Sequence, residues 1–311
     1  MKIAFVFPGQ GSQVVGMGRS LFDAFPESRA IFDAADAALG SSLSRLCFHG
    51  PEDDLKLTEN AQPALLTTSV AALRVLESRG IRAEGVAGHS LGEYSALVAA
   101  SALSFDDAVR TVRLRGRYMQ EAVPVGQGAM AAILMLDAEK VDEACRESAQ
   151  GEVVSAANLN CPGQIVIAGA SSAVDRAIAA CTAKGARRAI KLTVSAPFHC
   201  AMMKPAEIRI EADLQKLAFA NASISVYRNV DGEPQHSAGT LRDGLVRQVS
   251  LPVQWQKTIE SMVRDGFDTF IELGSGTVVS GLVKKTAKGV RLLNVEDQPS
   301  LAKTLEALKS V

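Results

Sequence analysis

A serine set between glycines, Gly88-His89-Ser90-Leu91-Gly92, is the segment of this sequence best suited to covalent chemistry. It has the GxSxG form, in which the turn is so tight that only near-absent side chains leave room around the serine and the hydroxyl stands exposed above a sheet. The flanks fit. Gly85-Val86-Ala87 is short and apolar, and from Leu91 to Leu103 the residues Tyr94, Leu97, Val98 and Ser101 recur at helical spacing. The first N–H groups of such a helix favour negative charge beside the hydroxyl. The pattern points to a serine nucleophile.

A serine nucleophile needs a proton acceptor, and the chain has four histidines. His89 adjoins the serine and is expected to face the other side of the turn. His49 and His236 lie in polar segments that read as loops. His199 follows Ala196-Pro197-Phe198 and precedes a helical pattern from Ala201 to Leu217, which puts it at the end of an element facing a cleft. A helix N-terminus there disfavours the charged ring and keeps it available as a base. No Asp or Glu between Ser90 and His199 stands out as a third member, so the sequence reads as a dyad whose imidazole is oriented by something other than a carboxylate.

Ala108, Val112, Arg115, Met119 and Ala122 step by four, three, four and three, so they share one face of a helix running from Phe105. Arg115 falls in the middle of that apolar stripe, while Arg110, Arg113 and Arg117 project from the other side. A guanidinium cannot be deprotonated, and burying it without an anion costs on the order of several kcal/mol. Arg115 must therefore snorkel to water, pair with a protein acid or meet an anionic ligand, and the stripe offers no acid of its own.

Phe7-Pro8-Gly9-Gln10-Gly11-Ser12-Gln13 follows an apolar run and superficially suggests a dinucleotide fingerprint. The third glycine of that fingerprint would fall on Val14, and Gly16 and Gly18 are out of register. Such a loop can instead turn backbone N–H groups towards Ser90, making an oxyanion hole with the residue after the serine.

These residues need a scaffold, and short apolar runs alternating with helical patterns describe an α/β chain with a mostly parallel sheet. Strands are predicted at Lys2 to Phe7, Glu84 to Ala87, Ser223 to Tyr227, Thr269 to Leu273 and Arg291 to Val295. Between the first two, Glu59 to Arg79 reads as a crossover helix with Pro63 near its start and Gly80 at its end. Ser104 supplies a capping box for the Arg115 helix, which continues to about Glu121. From Ala129 to about Thr193 the order is β-α-β-β-α-β: strands Ala129 to Leu136, Val153 to Asn158, Gln164 to Ala168 and Arg188 to Val194, with helices Ala138 to Ala149 and Ala173 to Lys184. The expected organisation is thus a large α/β-hydrolase-like domain, residues 1–125 and 196–311, interrupted by a small ferredoxin-like domain, residues 126–195. The cleft between them is the default ligand site.

Composition bounds the rest. With 47% apolar and 22% charged residues over 311 positions, the chain is an ordinary globular one. Lys+Arg 33 against Asp+Glu 34 gives no overall electrostatic reason to expect nucleic acid or an anionic membrane as partner. The opening apolar run stops at Pro8-Gly9, too short for a secretory signal core, and no stretch approaches the roughly 20 residues of a membrane helix. A cytoplasmic chain is expected. The five cysteines form no CxxC pair, which suggests neither a zinc site nor a disulfide framework.

Taken together, several segments resemble one family, the malonyl-CoA:acyl carrier protein transacylases of fatty acid and polyketide synthesis. They are Phe7-Pro8-Gly9-Gln10-Gly11-Ser12-Gln13, Gly88-His89-Ser90-Leu91-Gly92-Glu93-Tyr94, Arg115-Gly116, Asn158-Leu159-Asn160 with Pro162-Gly163-Gln164-Ile165-Val166-Ile167-Ala168-Gly169, Ser195-Ala196-Pro197-Phe198-His199, and Pro252-Val253-Gln254-Trp255. They span nearly the whole chain in the family's order, and the length resembles the stand-alone bacterial enzyme of type II fatty acid synthesis. Gly274-Ser275-Gly276 departs from the Gly-Pro-Gly often found there, and Cys200 replaces a frequent serine.

The resemblance implies that Ser90 accepts the acyl group, that His199 is its base and later its acid, and that the N–H groups of Gln10 and Leu91 hold the oxyanion. Gln248 would orient His199 through its main-chain carbonyl, at the end of a helix where carbonyls lack internal partners. Arg115 would grip the malonyl carboxylate in a bidentate fork. Asn158 and Phe198 would line the substrate, a bulky Phe198 crowding an α-methyl branch. The implied partners are malonyl-CoA and acyl carrier protein, with no metal and no tightly held cofactor, because the thioester already carries the activation. Three alternatives stay open at this level: a transferase loading the carrier of a polyketide synthase or a malonate decarboxylase, a serine hydrolase, and a non-catalytic carrier-binding protein.

Overall fold

A computed structural model describes residues 1–194 and 196–309. Ser195, which opens the segment leading to His199, lies outside the described residues. Ten strands are described: β1 (Ile3–Phe7), β2 (Gly85–Gly88), β3 (Gly128–Leu134), β4 (Val154–Cys161), β5 (Gln164–Ala170), β6 (Arg188–Lys191), β7 (Ser225–Tyr227), β8 (Pro234–Gln235), β9 (Thr269–Leu273) and β10 (Arg291–Val295).

Six of them form one sheet in the order β10-β9-β1-β2-β7-β8. All neighbours run parallel except the β7/β8 pair. β1, β2 and β9 are buried along their whole length, as expected of central parallel strands covered on both faces, and this is why they read as unbroken apolar runs. Phe7 pairs with Gly88, so the loop after β1 and the turn after β2 leave the same carboxyl edge side by side. That edge is where open α/β sheets place their ligands.

The crossover from β1 to β2 is longer than one helix. Before the long helix Thr58–Glu77 come four shorter ones, Arg19–Ala24, Pro26–Leu39, Leu43–His49 and Glu52–Lys56. None has a side-chain hydrogen bond at its N-cap, so the usual start signal is missing. His49 accordingly ends a helix instead of lying in a loop. Pro63 sits inside Thr58–Glu77, past its first turn, and the helix begins a residue earlier than the pattern indicates. The helix Phe105–Glu121 starts as expected: the Ser104 hydroxyl accepts the Asp107 N–H at 3.1 Å.

The other four strands make an antiparallel sheet in the order β4-β5-β3-β6, covered by the helices Ala138–Ala149 and Ser171–Ala183. Ala131, Ile133, Ile165, Ile167, Val174 and Ala177 form its own apolar core. β3 stops at Leu134, two residues short of the expected end, where Met135 takes φ 60° and gives its N–H to Gly163 O at 2.7 Å. β4 runs on to Cys161 through two register shifts. It is stitched to the segment ahead of helix Trp255–Arg264, with Val253 N–H donating to Ala157 O at 2.9 Å and Leu159 N–H to Val253 O at 2.9 Å.

Candidate active site

The turn after β2 is held by contact between its two ends. A Cβ on Gly88 would lie 1.9 Å from the Gly92 backbone, so no larger residue fits there. Ser90 adopts φ 51°, a left-handed conformation that a non-glycine residue takes only when its surroundings impose it. The clamp is identifiable. Asn229, in the loop after β7, accepts the Ser90 N–H on Oδ1 at 2.6 Å and donates Nδ2 to Gly88 O at 2.7 Å. His89 N–H donates to Phe7 O at 3.0 Å, which ties the turn to the loop carrying Gln10.

Ser90 Oγ lies 2.7 Å from His199 Nε2, and His199 Nδ1 lies 2.8 Å from the main-chain oxygen of Gln248. A carbonyl can only accept, so Nδ1 carries the proton and Nε2 is the acceptor for the serine hydroxyl. Gln248 ends the helix Ala238–Gln248, where its carbonyl has no partner one turn on. Burial first, and the Arg115 charge second, push the His199 imidazole down to about 3 from its ordinary 6.5, so the ring is neutral. His89 belongs to a different contact: its Nε2 lies 2.8 Å from Asn160 Oδ1, and its ring packs on Trp255.

Arg115 is 1% exposed. Nη1 donates to Gln62 Oε1 at 2.8 Å, and Nη2 donates to Gln248 Oε1 at 2.8 Å and to Ser90 Oγ at 3.2 Å. Nε is buried and has no hydrogen-bond partner, so its N–H is the donor of the fork left unfilled beside Nη2. Among the described residues no carboxylate forms an ion pair with it; every acceptor is a neutral oxygen. Gly116 permits this placement. A Cβ there would sit 2.5 Å from Thr58 O, so the glycine lets helix Phe105–Glu121 press against Thr58–Glu77 and bring Gln62 to the guanidinium. Arg110 and Arg117 are exposed as expected, while Arg113 is half-buried and donates to Asn60 Oδ1 at 2.9 Å.

The structure thus joins Ser90, His199, Gln248 and Arg115 in one network. Leu91, buried, immediately precedes the helix Gly92–Ala99, and Gln10 is exposed on the neighbouring loop, its side chain donating to Thr58 Oγ1 at 3.3 Å. Phe198 is buried beside His199, and Asn158 lies on β4, bridged to Val253. Sequence reasoning missed Gln62, Glu93, Asn160 and Asn229. Glu93 had a signal, as the lone acid in the otherwise uncharged helix Gly92–Ala99. Its Oε2 accepts Gln248 Nε2 at 2.6 Å and Asn229 N–H at 3.0 Å, and burial pushes its carboxyl up to about 7. Asn229 had no comparable signal, because its partners lie far away in sequence.

A neutral, buried imidazole poised on a serine in a strand–turn–helix elbow is an arrangement suited to acyl exchange, and the chain belongs to the acyl transferase domain family, whose model matches residues 4–304. Within that family the similarities are narrower. It is 47% identical over 309 residues to the malonyl CoA-acyl carrier protein transacylase of Bacillus subtilis, covering 99% of this chain and 98% of the relative. It is 48% identical over 306 residues to the protein of the same name from Escherichia coli K12, covering 98% and 99%. A crystal structure of an acyl carrier protein S-malonyltransferase from Vibrio cholerae superimposes with TM-score 0.96 at 45% identity, covering 98% of this chain and all of that one. A malonyl-transacylase solved in complex with a type II PKS acyl-carrier protein matches with TM-score 0.96 at 46% identity, covering 99% and 100%. Among the described residues, no helix is long and apolar enough to cross a membrane.

Proposed function

We propose that this chain transfers the malonyl group of malonyl-CoA to the phosphopantetheine thiol of an acyl carrier protein, as the names of its relatives suggest, through a malonyl ester on Ser90. The observation that carries this reading is Arg115: a buried cation, without an acid partner among the described residues, whose Nη2 touches the nucleophile at 3.2 Å. Malonate's second carboxylate is one methylene away from the reacting carbonyl. A guanidinium this close to the serine suits that short diacid, whose carboxylate can take the free Nε N–H and, in place of the Ser90 hydroxyl, the Nη2 N–H that now points at Oγ. A hydrolase of neutral esters has no use for such a cation in its acyl pocket.

The steps follow from the dyad. His199 Nε2 takes the Ser90 proton as Oγ attacks the thioester carbon, and Arg115 holds the far end of the acyl chain. The N–H groups of Gln10 and Leu91 are the oxyanion donors of this reading, supported by the pairing of Phe7 with Gly88 that sets their loops side by side. The C–S bond breaks and the coenzyme thiolate leaves, taking the proton back from His199. In the second half the carrier thiol gives its proton to His199 and attacks the ester, and Ser90 leaves as the hydroxyl. Phe198, buried beside the base, would crowd an α-methyl branch, and Asn158 would line the acyl chain's approach.

We also read residues 1–125 and 196–311 as an α/β-hydrolase-like domain and 126–195 as a ferredoxin-like insertion; the strand order β4-β5-β3-β6, with a helix after β3 and after β5, supports the second assignment. The test of function is intact-mass measurement after incubation with malonyl-CoA. One malonyl group should appear on the wild-type chain, none on Ser90→Ala, and the group should be discharged by a holo acyl carrier protein. A chain that stays unlabelled while free coenzyme A accumulates would instead favour hydrolysis.

A further inference from the structure

Arg115 is fixed by two amide side chains, and they are not equally constrained. Gln62 offers Oε1 to the guanidinium, while its Nε2 faces only the weak acceptor Met119 Sδ at 3.9 Å. Gln248 offers Oε1 at 2.8 Å, and its Nε2 is held between two oxygens, Glu93 Oε2 at 2.6 Å and Ser90 O at 3.0 Å. An amide can be turned end for end at little cost unless its neighbours distinguish oxygen from nitrogen. Here the neighbour that does so most strongly is Glu93. Turned the other way, Gln248 would aim N–H groups at the guanidinium, and two donors would face each other in a buried site.

We propose that Glu93 is the positioning residue for malonyl selectivity: by accepting from Gln248 Nε2, its Oε2 fixes the direction of the Gln248 amide, which in turn presents an oxygen to Arg115 and sets the fork towards Ser90. The same oxygen accepts the Asn229 N–H at 3.0 Å, and Asn229 holds the Ser90 N–H, so one atom ties the nucleophile's turn to the carboxylate-binding arginine. What the inference demands of residue 93 is an acceptor oxygen at that point, not its charge. It rests on the reading that Arg115 receives the malonyl carboxylate.

The experiment compares Ser90 acylation by malonyl-CoA and by acetyl-CoA in one preparation, as a ratio of kcat/KM values, so that any unfolded fraction cancels. Glu93→Met, similar in volume but without an acceptor oxygen, should lower the malonyl-to-acetyl ratio at least about tenfold, mainly through the malonyl KM. Glu93→Gln, whose amide oxygen can take both N–H groups, should keep the ratio within about threefold of wild type. Equal losses for both donors in Glu93→Met, or a Glu93→Gln ratio that falls to the Met level, would overturn the assignment. Arg115→Ala serves as the control. If it lowers the ratio while Glu93→Met does not, only the role of Glu93 fails; if Arg115→Ala leaves the ratio unchanged, the reading of Arg115 fails with it.

Discussion

The Arg115 guanidinium, on helix Phe105–Glu121, donates to the hydroxyl of Ser90, in the turn after β2, at 3.2 Å and across 25 residues of sequence. The cation that would recognise an acyl chain's distal carboxylate is therefore in contact with the atom that would attack its proximal carbonyl. Such a spacing measures chain length. A diacid with one methylene between its carbonyls can span from Ser90 to the fork, whereas a longer one must buckle or displace the arginine from Gln62 and Gln248. Succinyl-CoA should accordingly acylate Ser90 with kcat/KM at least about tenfold below malonyl-CoA. Intact-mass time courses with the two donors check this.

The neutral His199 leads to a second expectation. With its ionisation pushed down to about 3 by burial and then by the Arg115 charge, the ring should show no titration between about pH 5 and about pH 8 in NMR spectra of the unliganded protein. Arg115→Ala removes one of the two causes named here and should move the ionisation upward, towards 6.5. The sign for stability follows: between 3 and 6.5 the unfolded chain binds the proton that folded His199 refuses, so this residue's contribution to stability is lost progressively as pH falls below 6.5. Replacing His199 by Gln should therefore narrow the gap in unfolding free energy between pH 7 and pH 5, as measured by urea denaturation.

Gly116 tests the architecture apart from the chemistry. Because a Cβ there would meet Thr58 O at 2.5 Å, Gly116→Val must separate the two helices that bring Gln62 to Arg115. The expected cost is about 1–3 kcal/mol in urea unfolding, with malonyl acylation falling more than acetyl acylation.

Much of this site is readable in the chain, for identifiable reasons. Ser90 has glycines on both sides, His199 remains after three other histidines are set aside, and Arg115 is a cation in an apolar stripe; each leaves a local mark. Leu91 and the loop carrying Gln10 are marked only indirectly, through the elbow and the loop's glycines, because the role expected of them belongs to backbone N–H groups; Gln248 leaves no mark, and only the family resemblance points to it. Asn229 and Gln62 act across more than 50 residues through ordinary amide side chains, which no spacing rule singles out. In the fold, β9 and β10 fall where their apolar runs predict, but the short helices between Arg19 and Lys56 lack side-chain caps and pass unread. β3 ends early because Met135 turns into a left-handed conformation that its residue type does not foretell.

The central claim is that Arg115 selects the donor by binding its free carboxylate. The most direct measurement is the acylation of Ser90 in Arg115→Ala by malonyl-CoA and by acetyl-CoA, each as kcat/KM from intact-mass time courses. The account predicts that the malonyl value drops at least about a hundredfold more than the acetyl value, since only malonyl loses a charge-assisted bidentate contact. Equal losses for the two donors, or an undiminished preference for malonyl, would contradict it.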